Sequence, residues 1–189
     1  MASALVLVLP GCGEASSTKA AAKAPDVPCD LVKQEELSAL GVGPPTSDDT
    51  HSGSGSSSAY CESAAGESAK QGPRWGTLRI EWTSFADAKK DEKQGPAARS
   101  GEEQAKAEYQ SARIGTVAST CSEPPVTEPD FAMVDCFEPG SEYGPTLGAV
   151  VVRHGAKVVL VRYEGVGYDP AVVHETIRAI ADRAIRSEP

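Results

Sequence analysis

Five cysteines, three histidines and one tyrosine-glycine run are the residues whose types and spacing could do chemistry in this chain. Three histidines give few candidates for a triad or a metal centre. His51 lies in a Ser/Gly-rich stretch and His154 precedes a glycine in a turn, so both read as solvated turn residues. His174, beside Glu175, falls in the first turns of a helix pattern with no second metal-ligand spacing, and reads as a solvated helix face. The acidic pairs Glu35-Glu36 and Glu102-Glu103 lie on helix patterns, where neighbours point in different directions, so neither forms an acid/base dyad. The sequence contains no Gly-x-Ser-x-Gly elbow, Walker loop or Gly-x-Gly-x-x-Gly fingerprint. No catalytic residue, metal site or cofactor is expected, and the chain reads as a non-enzyme.

The cysteines carry more information. Residues 1–11, Met-Ala-Ser-Ala-Leu-Val-Leu-Val-Leu-Pro-Gly, are apolar and uncharged and close on Cys12. They fall short of the about 20 apolar residues a membrane-crossing helix needs. The junction Leu9-Pro10-Gly11-Cys12 resembles the lipobox of bacterial lipoproteins, in which a small residue precedes the cysteine that receives diacylglycerol. Pro10 departs from the commonest pattern, and the basic leader of an export signal is missing. Residues 1–11 are therefore read as the remnant of a longer signal peptide, and Cys12 as the lipidation site. Setting Cys12 aside leaves Cys29, Cys61, Cys121 and Cys136, an even set that reads as disulfides in an oxidising compartment. Four cysteines allow three connectivities; the sequence-local pairs Cys29 with Cys61 and Cys121 with Cys136 are expected. A four-thiolate zinc site would show Cys-x-x-Cys knuckles, and there are none.

The elements that must position these residues follow from periodicity. Residues 12–28 are the lipidated cysteine and a small, polar, flexible tether; as a random coil, residues 13–28 would set the folded part on the order of 20 Å from the anchor. A single domain is expected over residues 29–189. Asp30 is the expected cap of a helix from Leu31 to Leu40, with Gly41 as its stop. The Gly43-Pro44-Pro45 to Ser58 stretch reads as a mobile loop, with Cys61 on a short strand after it. Strict alternation predicts a strand over Thr77–Thr83, with Leu78, Ile80 and Trp82 inward. A lightly anchored helix is expected over Glu102–Ala112, facing inward through Ala105, Tyr109 and Ala112. Strands follow at Ile114–Ala118 and Phe131–Phe137. Thr146–Arg153 and Ala156–Glu164 read as a hairpin turning at His154-Gly155. The final helix, capped by Asp169 with Pro170 in its first turn, carries a stripe of Val173, Ile177, Ile180 and Ala184. The fold class is α+β: an antiparallel sheet flanked by helices, with two disulfides, after a disordered lipoprotein tether.

Charge narrows the partners. With 18 basic and 27 acidic residues the formal charge is −9, and Lys89, Lys90 and Lys93 are interleaved with Asp87, Asp91 and Glu92, so no basic patch exists for nucleic acid. Ten aromatic residues and eighteen glycines imply a modest core with many turns. Between the hairpin and the last helix, Tyr163, Gly165, Gly167 and Tyr168 could line the mouth of a ligand site, since rigid elements flank them on both sides. Asp169 at the helix start disfavours an anion there, so a neutral or apolar ligand is expected.

The run Pro28-Cys29-Asp30-Leu31, followed by Glu36-Leu37 and Leu40-Gly41, resembles the opening of an actinobacterial lipoprotein family of unknown function, domain of unknown function thirty-five fifty-eight. The shared plan covers roughly residues 27–186: lipobox, linker, Pro-Cys and helix, a second cysteine about thirty residues on, a later cysteine pair, a valine hairpin and a final helix. Glu62-Ser63 after Cys61 departs from members that carry an aromatic two residues after that cysteine. The resemblance implies an envelope lipoprotein, lipid-anchored on the outer face of the cell membrane, and supplies no catalytic residues. The expected function is a non-catalytic module binding a small apolar ligand or an envelope protein. The alternatives are a sensory or regulatory accessory subunit of a membrane protein, and a weakly marked hydrolase.

Overall fold

Seven strands form one antiparallel sheet because the apolar residues of the central strands alternate and bury one row on each side. In the computed structural model, residues 21, 23, 28–53, 55–65, 74–87, 99–115, 120–141 and 144–187 are described. The lipidation site at Cys12 and nearly all of the tether lie outside them. The strands are β1 (Pro45–Ser52), β2 (Ser56–Ala64), β3 (Trp75–Phe85), β4 (Cys121–Ser122), β5 (Phe131–Glu138), β6 (Thr146–His154) and β7 (Lys157–Val166). Their order across the sheet is β1-β2-β3-β7-β6-β5-β4. The helices are α1 (Gln34–Leu40), α2 (Gly101–Ile114) and α3 (Pro170–Arg186), with a 3-10 turn at Pro28–Leu31.

One face of the sheet carries Leu78, Ile80, Trp82, Val150, Val152, Val159 and Val161 against α1 and α3. The stripe read from the sequence is the buried face of α3: Val173, Ile177, Ile180 and Ala184 are all fully buried, joined by Ala181 and Ile185. Each buried Val or Ile contributes about 1.5–3 kcal/mol, so this helix is the main clamp on the sheet. Asp169 accepts from the Ala171 N–H at 2.9 Å, and Arg183 and Arg186 sit in the last turn, where they complement the helix dipole. On the opposite face α2 packs Ala105 and Tyr109 on Val134, Val151, Val158 and Leu160. Ser100 caps it, accepting from the Glu103 N–H while the Glu103 carboxylate accepts from Ser100 N–H. The expected α+β sheet and both sequence-local disulfides, Cys29–Cys61 and Cys121–Cys136, are present.

Four sequence expectations are corrected. The supposed mobile loop 43–58 holds β1 and the start of β2, a hairpin at the sheet edge. The α1 helix begins at Gln34, after the 3-10 turn, and not under an Asp30 cap; the Glu36 carboxylate accepts from Lys33 N–H instead. Gly41 does stop it, at φ 64°. Ile114, expected to open a strand, is the last residue of α2 and 84% exposed, and 116–119 lie outside the described residues. The β6–β7 turn sits at Gly155-Ala156, one residue later than expected, because Gly155 takes the left-handed φ of 56° and His154 pairs with Lys157.

Candidate functional site

The expected ligand mouth turns inward. Tyr163 lies within β7 and is buried; its hydroxyl donates to the Leu40 carbonyl at 3.0 Å, tying the strand to the end of α1. Burial raises the Tyr163 hydroxyl well above its ordinary range, with Tyr168 adding to the shift. Gly165 and Gly76 exist to admit this ring: a Cβ at Gly165 would lie 2.0 Å from the Tyr163 hydroxyl oxygen, and one at Gly76 2.2 Å from the Leu40 oxygen. Tyr168 packs partly buried against the same core and crosses over Gly41, where a Cβ would lie 1.9 Å from its ring. Gly167 turns the chain into α3 at φ 83°. The two rings that were expected to meet a ligand therefore join α1, β7 and α3, and the phenol that would recognise a ligand is already bonded to backbone.

The concave surface lies on the opposite side of the same strands. Where α2 stops, the sheet face continues uncovered and forms a cavity of about 250 Å³, one of several depressions among the described residues, walled by Thr77 and Arg79 of β3, Arg162 and Glu164 of β7, and Leu147 and Ala149 of β6. Tyr163 and Gly148 contribute to its floor, Tyr163 by its backbone, since its ring belongs to the other face. Register explains the arrangement. A single rung of the sheet runs Glu62, Arg79, Arg162, Ala149, Cys136 and Cys121, so two arginines stand directly opposite each other on adjacent strands. Arg79 is compensated: its Nε lies 2.9 Å from the Glu81 carboxylate and its guanidinium 4.8 Å from the centre of the Tyr60 ring. Burial and the hydrogen bond to Glu62 raise the Tyr60 hydroxyl, so it remains a neutral platform. Among the described residues Arg162 has no such partner. Its Nε is shielded from solvent with no hydrogen bond, and its guanidinium lies beside the last turn of α2 near Gly115.

A second polar cluster was missed from the sequence. Asp135, 3% exposed on β5, accepts from His174 Nε2 through both oxygens, at 2.8 and 2.9 Å, and lies 3.3 Å from Arg178 Nε. The His174 ring stacks on Phe137, centroids 4.3 Å apart. His174 is thus no simple solvated helix face; it pairs the one carboxylate within the run Phe-Ala-Met-Val-Asp-Cys-Phe, and that lone Asp was the legible signal. An aspartate that fixes a histidine is two thirds of a nucleophile-activating triad. Ser122 and Thr120 line the shallow depression beside it, yet among the described residues no hydroxyl is hydrogen-bonded to His174. The cluster docks α3 onto β5.

No protein-family model, curated protein or solved structure matches the chain. Function has to be read from geometry. Among the described residues no group of three metal-ligating side chains occurs, and no helix is long and apolar enough to cross a membrane. Among the described residues the large apolar side chains left exposed are Ile114, Val126 and Val172.

Proposed function

We propose that the chain is an extracytoplasmic lipoprotein of the envelope-lipoprotein kind its sequence plan resembles, and that its folded domain is a non-catalytic binding module. The observation that carries the binding reading is the cavity on the sheet face beyond α2, where a half-buried Leu147, a buried Ala149 and an unsatisfied polar group lie side by side. Its about 250 Å³ falls just below the about 300–1,000 Å³ typical of drug-sized ligand pockets, which favours a small ligand. Export is supported by the disulfides: each of the four domain cysteines is already paired, leaving Cys12 as the odd one at the lipobox-like junction.

The test is capture of the natively lipidated protein from its membrane, with mass spectrometry of co-purifying small molecules, in parallel with Thr77→Trp, which fills the cavity from a half-buried strand position. A species present with the wild type and lost from Thr77→Trp is the expected result. Identical small molecules from both proteins would overturn the site. For the anchor, Cys12→Ala in a precursor with a complete export signal should release the protein from membranes; retention of the variant, with no lipid on the wild type, would overturn that half of the reading.

A further inference from the structure

Taking the cavity beyond α2 as the ligand site proposed above, we infer that its ligand is a monocarboxylate with a compact apolar body, its carboxylate held by Arg162. Two facts about the rung through Arg79 and Arg162 lead there. Like charges directly opposite on neighbouring strands are unfavourable, and a shielded guanidinium N–H without an acceptor is costlier still. Arg79 escapes this cost through Glu81 and Tyr60, whereas Arg162 retains it although the chain as a whole carries a charge of −9. Among the described residues no acceptor meets Arg162 Nε, and the cavity its side chain lines is open to an acceptor from a ligand. A planar fork of N–H donors is met best by the two oxygens of a carboxylate.

The walls define the rest of the ligand. Leu147 and Ala149 flank Arg162 on β6, and Thr77 closes the far side, so atoms attached to the carboxylate meet carbon. Glu164 stands on the same strand and the same face as Arg162, and Glu81 is held beside Arg79. These two carboxylates repel a doubly charged head, so a single negative charge fits and a phosphate monoester does not. The neutral or apolar ligand expected from the tyrosine-glycine turn is replaced by an amphiphile with one charge.

Octanoate, octanol and octyl phosphate serve as probes of the oxidised full chain at neutral pH, read by the backbone amide shifts of Leu147, Ala149 and Glu164. Octanoate should saturate these shifts, with octanol and octyl phosphate at least tenfold weaker. Arg162→Met, which keeps the aliphatic stem on the sheet, should weaken octanoate tenfold or more; Arg162→Lys, which keeps the charge without the fork, should fall between. Should octanol bind as tightly as octanoate, or Arg162→Met bind like the wild type, the carboxylate assignment is wrong while the cavity remains a ligand site. Tighter binding of octyl phosphate would transfer the site to phosphate headgroups and overturn it as well. Shifts that never saturate, or that appear only away from β6 and β7, would remove both the carboxylate and the cavity reading.

Discussion

Gly165→Ala tests whether the tyrosine-glycine turn is a packing joint. The new Cβ would stand 2.0 Å from the Tyr163 hydroxyl oxygen, 2.5 Å from the adjacent ring carbon and 2.8 Å from the Trp75 carbonyl oxygen. The backbone oxygen cannot yield cheaply, and the ring is pinned by its bond to Leu40. Expelling the hydroxyl leaves the Leu40 carbonyl without its partner, at about 1–3 kcal/mol, and the overpacking costs a further about 1–3 kcal/mol. The expected loss is therefore about 2–6 kcal/mol, only slightly offset by the about 0.4–1 kcal/mol an alanine gains through the unfolded chain. Tyr163→Phe removes the hydroxyl alone and should cost about 1–3 kcal/mol. In the double variant the lost hydrogen bond is counted once and the worst clash is gone, so the two losses should fall short of adding. Urea unfolding followed by tryptophan fluorescence measures each loss as a shifted midpoint at constant slope. A Gly165→Ala variant within 0.5 kcal/mol of wild type by that measure, or strictly additive losses, would refute the packing account and return Tyr163 to the ligand-mouth reading.

Three further outcomes follow from the same structure. Replacing Cys29 and Cys61 by Ser, which opens a loop of 32 residues, should cost about 3.7 kcal/mol by loop entropy, against about 3.0 kcal/mol for Cys121 and Cys136 with 15; the reverse order in denaturant melts would show that strain or residual structure dominates. Because burial raises the Tyr163 hydroxyl in the folded state, stability should be unaffected below about pH 10 and fall as pH rises beyond it, where the unfolded chain ionises and the folded one does not; Tyr163→Phe should flatten that alkaline slope, and an unchanged slope would count against it. Between α3 and β5, combining His174→Phe with Arg178→Ala leaves the Asp135 carboxylate buried alone and should cost about 3 kcal/mol, whereas Asp135→Asn, whose partners are free to hydrate, should cost about 1 kcal/mol; equal losses in thermal melts would mean that Asp135 is already hydrated.

Legibility followed burial. The α3 stripe, the alternation of β3 and the valine hairpin were readable because each buries one clear row of large side chains. The β1–β2 hairpin was not, for a physical reason: β1 is the sheet edge, and its Thr-Ser-Asp-Asp-Thr-His-Ser needs no apolar row. The exposed Asp49 in such a strand also discourages pairing with another chain. The partner strand β2 does alternate, but it buries Ser57, Ala59, Cys61 and Ser63, small residues that a hydrophobicity pattern passes over. They are small because the 3-10 turn and the Cys29–Cys61 bridge lie directly over that strand.

The candidate site was hidden for a different reason. Tyr163 and Arg162 are neighbours in sequence, yet alternation sends them to opposite faces, so attention to the aromatic led to the closed side of the sheet while the open side belonged to the arginine beside it. What makes Arg162 informative is a relation that sequence alone does not contain: the register that sets it against Arg79, and the end of α2 that shields its Nε while leaving the cavity uncovered. Shifting β7 by one residue would put Val161 or Tyr163 in that place and remove the unpaired cation. The Tyr163–Leu40 bond and the close approach at Gly165 and Gly76 hold that register. The buried joint and the open cavity are therefore two sides of one device. Variants that loosen the Tyr163 packing should also weaken ligand binding at Arg162 without touching the cavity, and Gly165→Ala provides that comparison when its fold is retained at low temperature.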